Sequence, residues 1–286
     1  NTIGHRDVEA GLPMQRDTIF RIASMTKPVT VAAAMALVEE GKFALSDPVS
    51  RWLPELADMR VLADPAGPLD RTVPARRPIT FDDLMTHRSG LAYVFSVTGP
   101  ISRAYGQVSL RQDQDHWLAE IAALPLLHQP GERLTYSQST DVLGIAVSRI
   151  EGKSLHTVLS ERVFQPLDMR SRAATMYRLD PESGLHHDAM GPIPVTEPRF
   201  CQGGAGLVST ADDYLRFVRM LLGGGEVDGV RVLSEESVAL MRTDRLTDEQ
   251  KRHPFLGFPF WVGRGFGLNL SVVTDPAKST QLFGPG

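Results

Sequence analysis

A serine three residues ahead of a lysine is the first arrangement in this sequence that could do chemistry. It lies in Phe20-Arg21-Ile22-Ala23-Ser24-Met25-Thr26-Lys27-Pro28. On a helix or tight helical turn, positions i and i+3 share one side, so the Lys27 amine can reach the Ser24 hydroxyl. Free serine is a poor nucleophile near neutral pH, and an amine lone pair beside it can take its proton. A helix N-terminus adds a dipole that favours negative charge there. Pro28 has no amide hydrogen and is tolerated best in a first turn. The expectation is therefore a tight turn carrying Ser24, with the regular helix settling just after Lys27. A lone Ser-x-x-Lys is commonly only a cap followed by a solvated lysine, so a second chemical group has to be found.

That group is Tyr136, in Gly131-Glu132-Arg133-Leu134-Thr135-Tyr136-Ser137-Gln138-Ser139. The segment lies between Pro130 and a helical pattern starting near residue 139, a loop backed by a rigid element. A phenol can relay the serine proton to a leaving group, and a cation such as Lys27 stabilises its phenolate. Gln138 can bond to substrate. Tyr93, in the loop after Gly90-Leu91, is a candidate for the pocket wall. The other chemistry-bearing residues carry less. His186-His187-Asp188 has no third metal ligand at a recognised spacing and is expected in a surface loop. His87 is expected to brace a loop. Cys201 is expected to be a small buried residue. Gly203-Gly204-Ala205-Gly206 lacks the phosphate-loop and dinucleotide patterns and is expected to pass its backbone close to the site. The Gly-x-Ser-x-Gly elbow is absent. No cofactor and no metal are called for. Trp52, Trp117 and Trp261 are expected chiefly in the core.

These groups need a scaffold. Residues 28–40 are almost wholly apolar, the pattern of a buried core helix stopped by Gly41. Ile79 to Met85 starts another, with Thr80 as cap and Asp83 three residues on as the reciprocal acid. Helices are expected at 113–124, 139–151 (ended by Gly152), 154–164, 209–222 (closed by Gly223-Gly224-Gly225) and 235–242. Residues 17–22 suggest a short extended piece. Residues 42–78 read as irregular apart from a helical turn in the Asp47–Leu56 stretch, and 92–112 are ambiguous. Val262, Phe266, Leu268, Leu270 and Val272 alternate in part and suggest sheet.

The chain has 286 residues, enough for a substantial core, and a formal charge of −4. No basic tract supports a nucleic-acid groove or a polybasic membrane surface. No apolar run reaches the length of a membrane span. A single cysteine excludes an internal disulfide and fits a reducing, cytoplasmic compartment. The polar start at Asn1 and the turn-like Phe283-Gly284-Pro285-Gly286 suggest that both ends are incomplete. Oligomeric state is not encoded in any pattern.

In their order along the chain, the motifs resemble the serine beta-lactamase and penicillin-binding protein superfamily. Within it they are most similar to esterases with a class C beta-lactamase fold. The resemblance rests on four stretches: Phe20 to Pro28, Asp83 to Leu91, Pro130 through Gln138 with Asp141-Val142-Leu143-Gly144, and Gly203 to Asp213. It implies an α/β (α+β) fold, an antiparallel sheet flanked by helices, plus a mainly helical domain. Residues 1–45 with 206–286 would form the mixed domain and 46–205 the helical one. It implies that Ser24 is acylated, that Lys27 is its general-base partner and that Tyr136 shares proton transfer, with the choice of base between the last two left open. Small carboxylic esters are the expected substrates. A beta-lactamase, a D-alanyl-D-alanine carboxypeptidase, an acyltransferase and a non-enzymatic penicillin-recognising or scaffolding protein are the alternatives. Two departures stand out. Gln138 occupies a place where such lactamases usually carry Asn. No Lys-Thr-Gly or Trp-Gly-Gly-like segment follows Tyr136, whereas relatives place one on a late edge strand that supplies an oxyanion-hole amide beside that of Ser24.

Overall fold

The computed structural model describes residues 2–110, 112–169, 177–180, 184–187 and 200–279. Its centre is the helix Thr26–Glu39. Val29, Val31, Ala32, Ala33, Ala34, Met35 and Leu37 are all buried, which is why this stretch shows no polar face. Gly41 follows at φ +70°, the left-handed conformation that ends a helix where Cβ is absent. The helix Ser139–Glu151 packs against it and is buried from Ser139 to Ser148. Gly152 closes that helix at φ +64°.

The short helix Phe81–Met85 is set by the expected capping box. Thr80 Oγ1 accepts from the Asp83 amide at 3.3 Å and the Thr80 amide donates to Asp83 Oδ2 at 3.0 Å. The Arg77 guanidinium bonds the same carboxylate, 2.9 Å to Oδ1, and its own pKa is raised chiefly by that hydrogen bond. Other helices run Gln114–Ala122, Ala211–Leu222 and Glu235–Met241, close to their expected places. Each starts on a side chain that accepts backbone N–H groups: Asp113, Thr210 and Ser234.

The described strands form six antiparallel pairs. The pair of Phe20–Arg21 with Val208–Ser209 joins the N-terminal segment to the return of the chain after the helical middle. The architecture is thus α/β (α+β), antiparallel strand pairs combined with packed helices. The sheet expected in 262–272 is present as two strands. Arg264–Phe266 and Ser271–Val273 pair across a turn in which Asn269 has φ +55°. The Asn269 amide and side chain both donate to Met85 O, at 2.8 and 3.0 Å. That tie fixes the turn, and an alternating pattern cannot register it. The supposedly irregular 42–78 contains a pair, Arg60–Leu62 with Thr72–Pro74, as well as two short 3₁₀ turns. Gly99–Gln107 is helical. The 154–164 helix splits into Leu155–Leu159 and a wider π turn, Ser160–Phe164. His186 and His187 lie on the strand Gly184–His187 rather than in a loop, and Asp188 lies outside the described residues. Cys201 is only half-buried, at the edge of the core.

Gly90 tests the loop that follows the capping box. It has φ +90°, and a Cβ there would sit 2.4 Å from His128 O and 3.0 Å from Leu126 Cβ. Gly90→Ala combines an unfavourable φ with overpacking against backbone, an expected loss of about 2–4 kcal/mol. Urea unfolding of the two proteins measures it, and an equal midpoint would contradict the close approach.

Candidate active site

Ser24 sits on the 3₁₀ turn Ala23–Met25, and the α-helix begins at Thr26. Pro28 therefore falls in the first turn, where its missing donor costs little. Ala23, just before the serine, has φ +45°, a strained value for a residue with a Cβ. Ser24 is exposed, whereas Lys27 is 3% exposed. One group is thus open to solvent and the other withdrawn from it.

Three of the expected residues meet at one atom. Tyr136 OH donates to Ser24 Oγ at 2.6 Å, and Lys27 Nζ donates to the same oxygen at 3.2 Å. Lys27 Nζ also donates to Gly204 O at 2.8 Å. It lies 4.7 Å from the Tyr136 ring centroid and 5.2 Å from that of Tyr93, a cation–π arrangement on two faces. The glycine-rich segment passes close to the site as expected, and the packing shows why it is glycine. A Cβ on Gly203 would lie 2.5 Å from Thr140 O, and one on Gly204 would lie 2.5 Å from Asp141 Oδ2.

Asp141 is the member the residue-by-residue reading did not single out. Its carboxylate accepts from the Gly204 amide at 2.8 Å and from Tyr93 OH at 2.9 Å. Burial raises its pKa, opposed by the nearby charge of Lys27. The phenol of Tyr93 is pushed up as well, first by burial and then by Asp141, so it remains a donor. Tyr93 is therefore anchored by Asp141, with Lys27 Nζ 5.2 Å from its ring centroid. Its ring stacks on Phe95, centroids 5.0 Å apart, and stands 5.5 Å from Tyr136. Gln138 precedes the helix Ser139–Glu151 and is 8% exposed. Its Oε1 is buried without a hydrogen-bond partner among the described residues. A buried acceptor left open is costly unless a ligand or water completes it.

His87 holds the tyrosine from the other side. Its carbonyl accepts from the Thr135 amide at 2.9 Å, and its Nδ1 accepts from the Ser137 amide at 3.3 Å. Both neighbours of Tyr136 are thereby fixed, and the two rings lie 4.8 Å apart. Residue 87 adopts φ +55° to do this. Burial, then the charge of Lys27, lowers the His87 pKa to about 3, with Asn269 opposing. Nδ1 is then a bare acceptor in the neutral imidazole. Burial likewise lowers His128 to about 4.

These two histidines carry a pH prediction. Each is neutral when folded and protonates near 6.5 when unfolded. Below pH 6.5 the unfolded chain binds more protons, so stability is present above that value and lost as pH falls towards 4 and 3. At pH 5 the loss is roughly 2 kcal/mol for each histidine. Asp141, with its raised pKa, acts in the opposite sense. Denaturant unfolding at pH 7 and pH 5 should show the lower midpoint at pH 5. Equal stability would contradict buried neutral imidazoles.

Beside Tyr136 opens a cavity of about 180 Å³, lined among others by Arg133, Leu134, His253 and Phe255. The Phe255 ring meets Tyr136 edge-on at 5.7 Å.

An exposed serine on a turn, a lysine withdrawn into the buried helix that follows and a tyrosine from a second loop thus converge on one oxygen. The chain belongs to the beta-lactamase family, whose model, described as Beta-lactamase, matches residues 1–286. It is 68% identical over 297 residues to Protein Rv1367c of Mycobacterium tuberculosis (strain ATCC 25618 / H37Rv), a match covering 100% of this chain and 74% of that protein. It is 34% identical over 307 residues to Esterase EstB of Burkholderia gladioli, covering 96% and 72%. Among solved structures it is similar to EstCE1, described as a hydrolase with promiscuous acyltransferase activity. The TM-score is 0.74 at 29% identity, covering 96% of this chain and 74% of that one.

Proposed function

We propose that this protein is a serine hydrolase that cleaves small carboxylic esters through an acyl-enzyme, with Ser24 as nucleophile. The observation that carries the reading is the convergence of Lys27 Nζ and Tyr136 OH on the exposed Ser24 Oγ, at 3.2 and 2.6 Å. Ser24 Oγ attacks the ester carbonyl while its proton passes to Lys27 or Tyr136. The tetrahedral intermediate collapses, the carbon–oxygen bond breaks, and the alcohol leaves with that proton. Water then attacks the acyl-serine, giving the free acid and restoring Ser24. Tyr93 and Gln138 line the substrate side. In this reading the site lies at the junction of a mixed region, residues 1–45 with 206–286, and a helical region, 46–205. Similarity to an esterase and to a hydrolase that also transfers acyl groups supports both the ester class and a second reading, transfer to an alcohol in place of water.

A fluorophosphonate probe tests the nucleophile directly. Peptide mass spectrometry of the labelled protein should find the adduct on Ser24. An adduct on another residue, or none on folded protein, would remove the basis of the reading.

A further inference from the structure

Arg133 has no role in the chemistry just described. It lies three residues before Tyr136 and is half-buried. Among the described residues its guanidinium makes no ion pair or hydrogen bond. Its neighbour Glu132 is exposed, and its carboxylate accepts from the Gln129 amide at 3.3 Å. Arg133 instead lines the cavity of about 180 Å³ beside Tyr136, with His253 as the other basic side chain and no Asp or Glu in the lining. The field of the pair reaches His128, whose pKa is lowered first by burial and then by Arg133 and His253, against Gln129 and Glu132.

A guanidinium offers five N–H donors in a rigid fork and has no acceptor of its own. Half withdrawn from water and without an acceptor, it best fits a carboxylate, which takes two parallel bonds from the fork. The Leu134 and Phe255 side chains in the lining suit a short aliphatic chain leading to that carboxylate. The cavity also lies one side chain from the nucleophile, because Tyr136 both lines it and touches Ser24 Oγ at 2.6 Å.

We infer that this cavity is a carboxylate subsite held by Arg133, so that the preferred substrates are esters carrying a free carboxylate a short chain away from the scissile carbonyl. The inference deepens the ester-hydrolase reading and rests on it for the position of the reacting bond, whereas anion binding itself does not depend on turnover.

The test separates the two. Monomethyl adipate and methyl hexanoate differ by a carboxylate on the acyl side. 4-Acetoxybutanoate and butyl acetate differ by one on the alcohol side. NMR titration of each into the Ser24→Ala protein should show one anionic ester binding about ten-fold or more tightly than its neutral counterpart. The advantage should vanish in Ser24→Ala/Arg133→Met and in Ser24→Ala/Arg133→Gln, and shrink with salt. With Ser24 present, Arg133→Met should lower kcat/KM for that ester about ten-fold and leave the neutral ester within two-fold. Equal binding within both pairs overturns the inference, as does an anionic preference that survives both Arg133 substitutions. Failure of turnover alone would count against the ester-hydrolase reading, and the titration would still decide the subsite.

Discussion

Ser24→Ala is expected to lower kcat for a short-chain p-nitrophenyl ester by roughly 10⁴-fold or more, as removal of a serine nucleophile does elsewhere. No neighbouring group can take over: Lys27 is buried, and Tyr136 reaches the reacting point only through the serine oxygen. The fold should hardly notice. Ser24 is exposed on a single 3₁₀ turn, and truncating such a side chain changes stability by about 0.5 kcal/mol or less. Parent and variant should therefore share one thermal midpoint and differ only in turnover. Equal rates in two equally folded proteins would take Ser24 out of the mechanism.

Lys27→Met is expected to lower kcat about 10²- to 10⁴-fold, the range for loss of a positioned general base. Methionine keeps most of the apolar volume of the lysine stem, so packing beneath the first helical turn survives. What disappears is the donor to Ser24 Oγ and Gly204 O and the positive charge that opposes the raised pKa of Asp141. The same charge also pushes His87 down, so imidazole titration followed by NMR should move upward in the variant. These two readouts separate proton transfer from simple misfolding. A loss of only a few-fold, beside a large loss in Tyr136→Phe, would assign the base role to the tyrosine. The open choice between the two is physical: both heavy atoms are within hydrogen-bond reach of one oxygen.

Where the chemistry is local, the sequence shows it. Ser24 and Lys27 are one helical turn apart, and Pro28 already implies that the regular helix starts beside them. Thr80 with Asp83, Gly41 and Gly152 announce helix ends in the same way. The sheet expected within 262–272 is present, but a period-two pattern carries no information about the turn at Asn269, which is fixed by Met85 far along the chain. Tyr93 is read as a wall residue from its loop alone, but its anchor, Asp141, sits on another element and is visible only in three dimensions. The same holds for His87, whose grip on Thr135 and Ser137 gives physical content to a motif that in sequence promises only a braced loop. Arg133 is one more charged residue until the cavity beside it is seen. Gly203 and Gly204 are the intermediate case. Their composition signals a close backbone approach, and only packing tells what approaches.

The bond from Tyr136 to Ser24 spans 112 positions of the chain, and that from Lys27 to Gly204 spans 177. Contacts of this separation form only after large loops have closed, an entropic cost that local helix formation does not bear. Catalytic competence is therefore expected late in folding. During refolding, helical signal should return before ester turnover, and mild denaturant should silence the enzyme while Thr26–Glu39 and Ser139–Glu151 are still wound. For this molecule, activity is the most demanding measure of whether the whole chain has found its place.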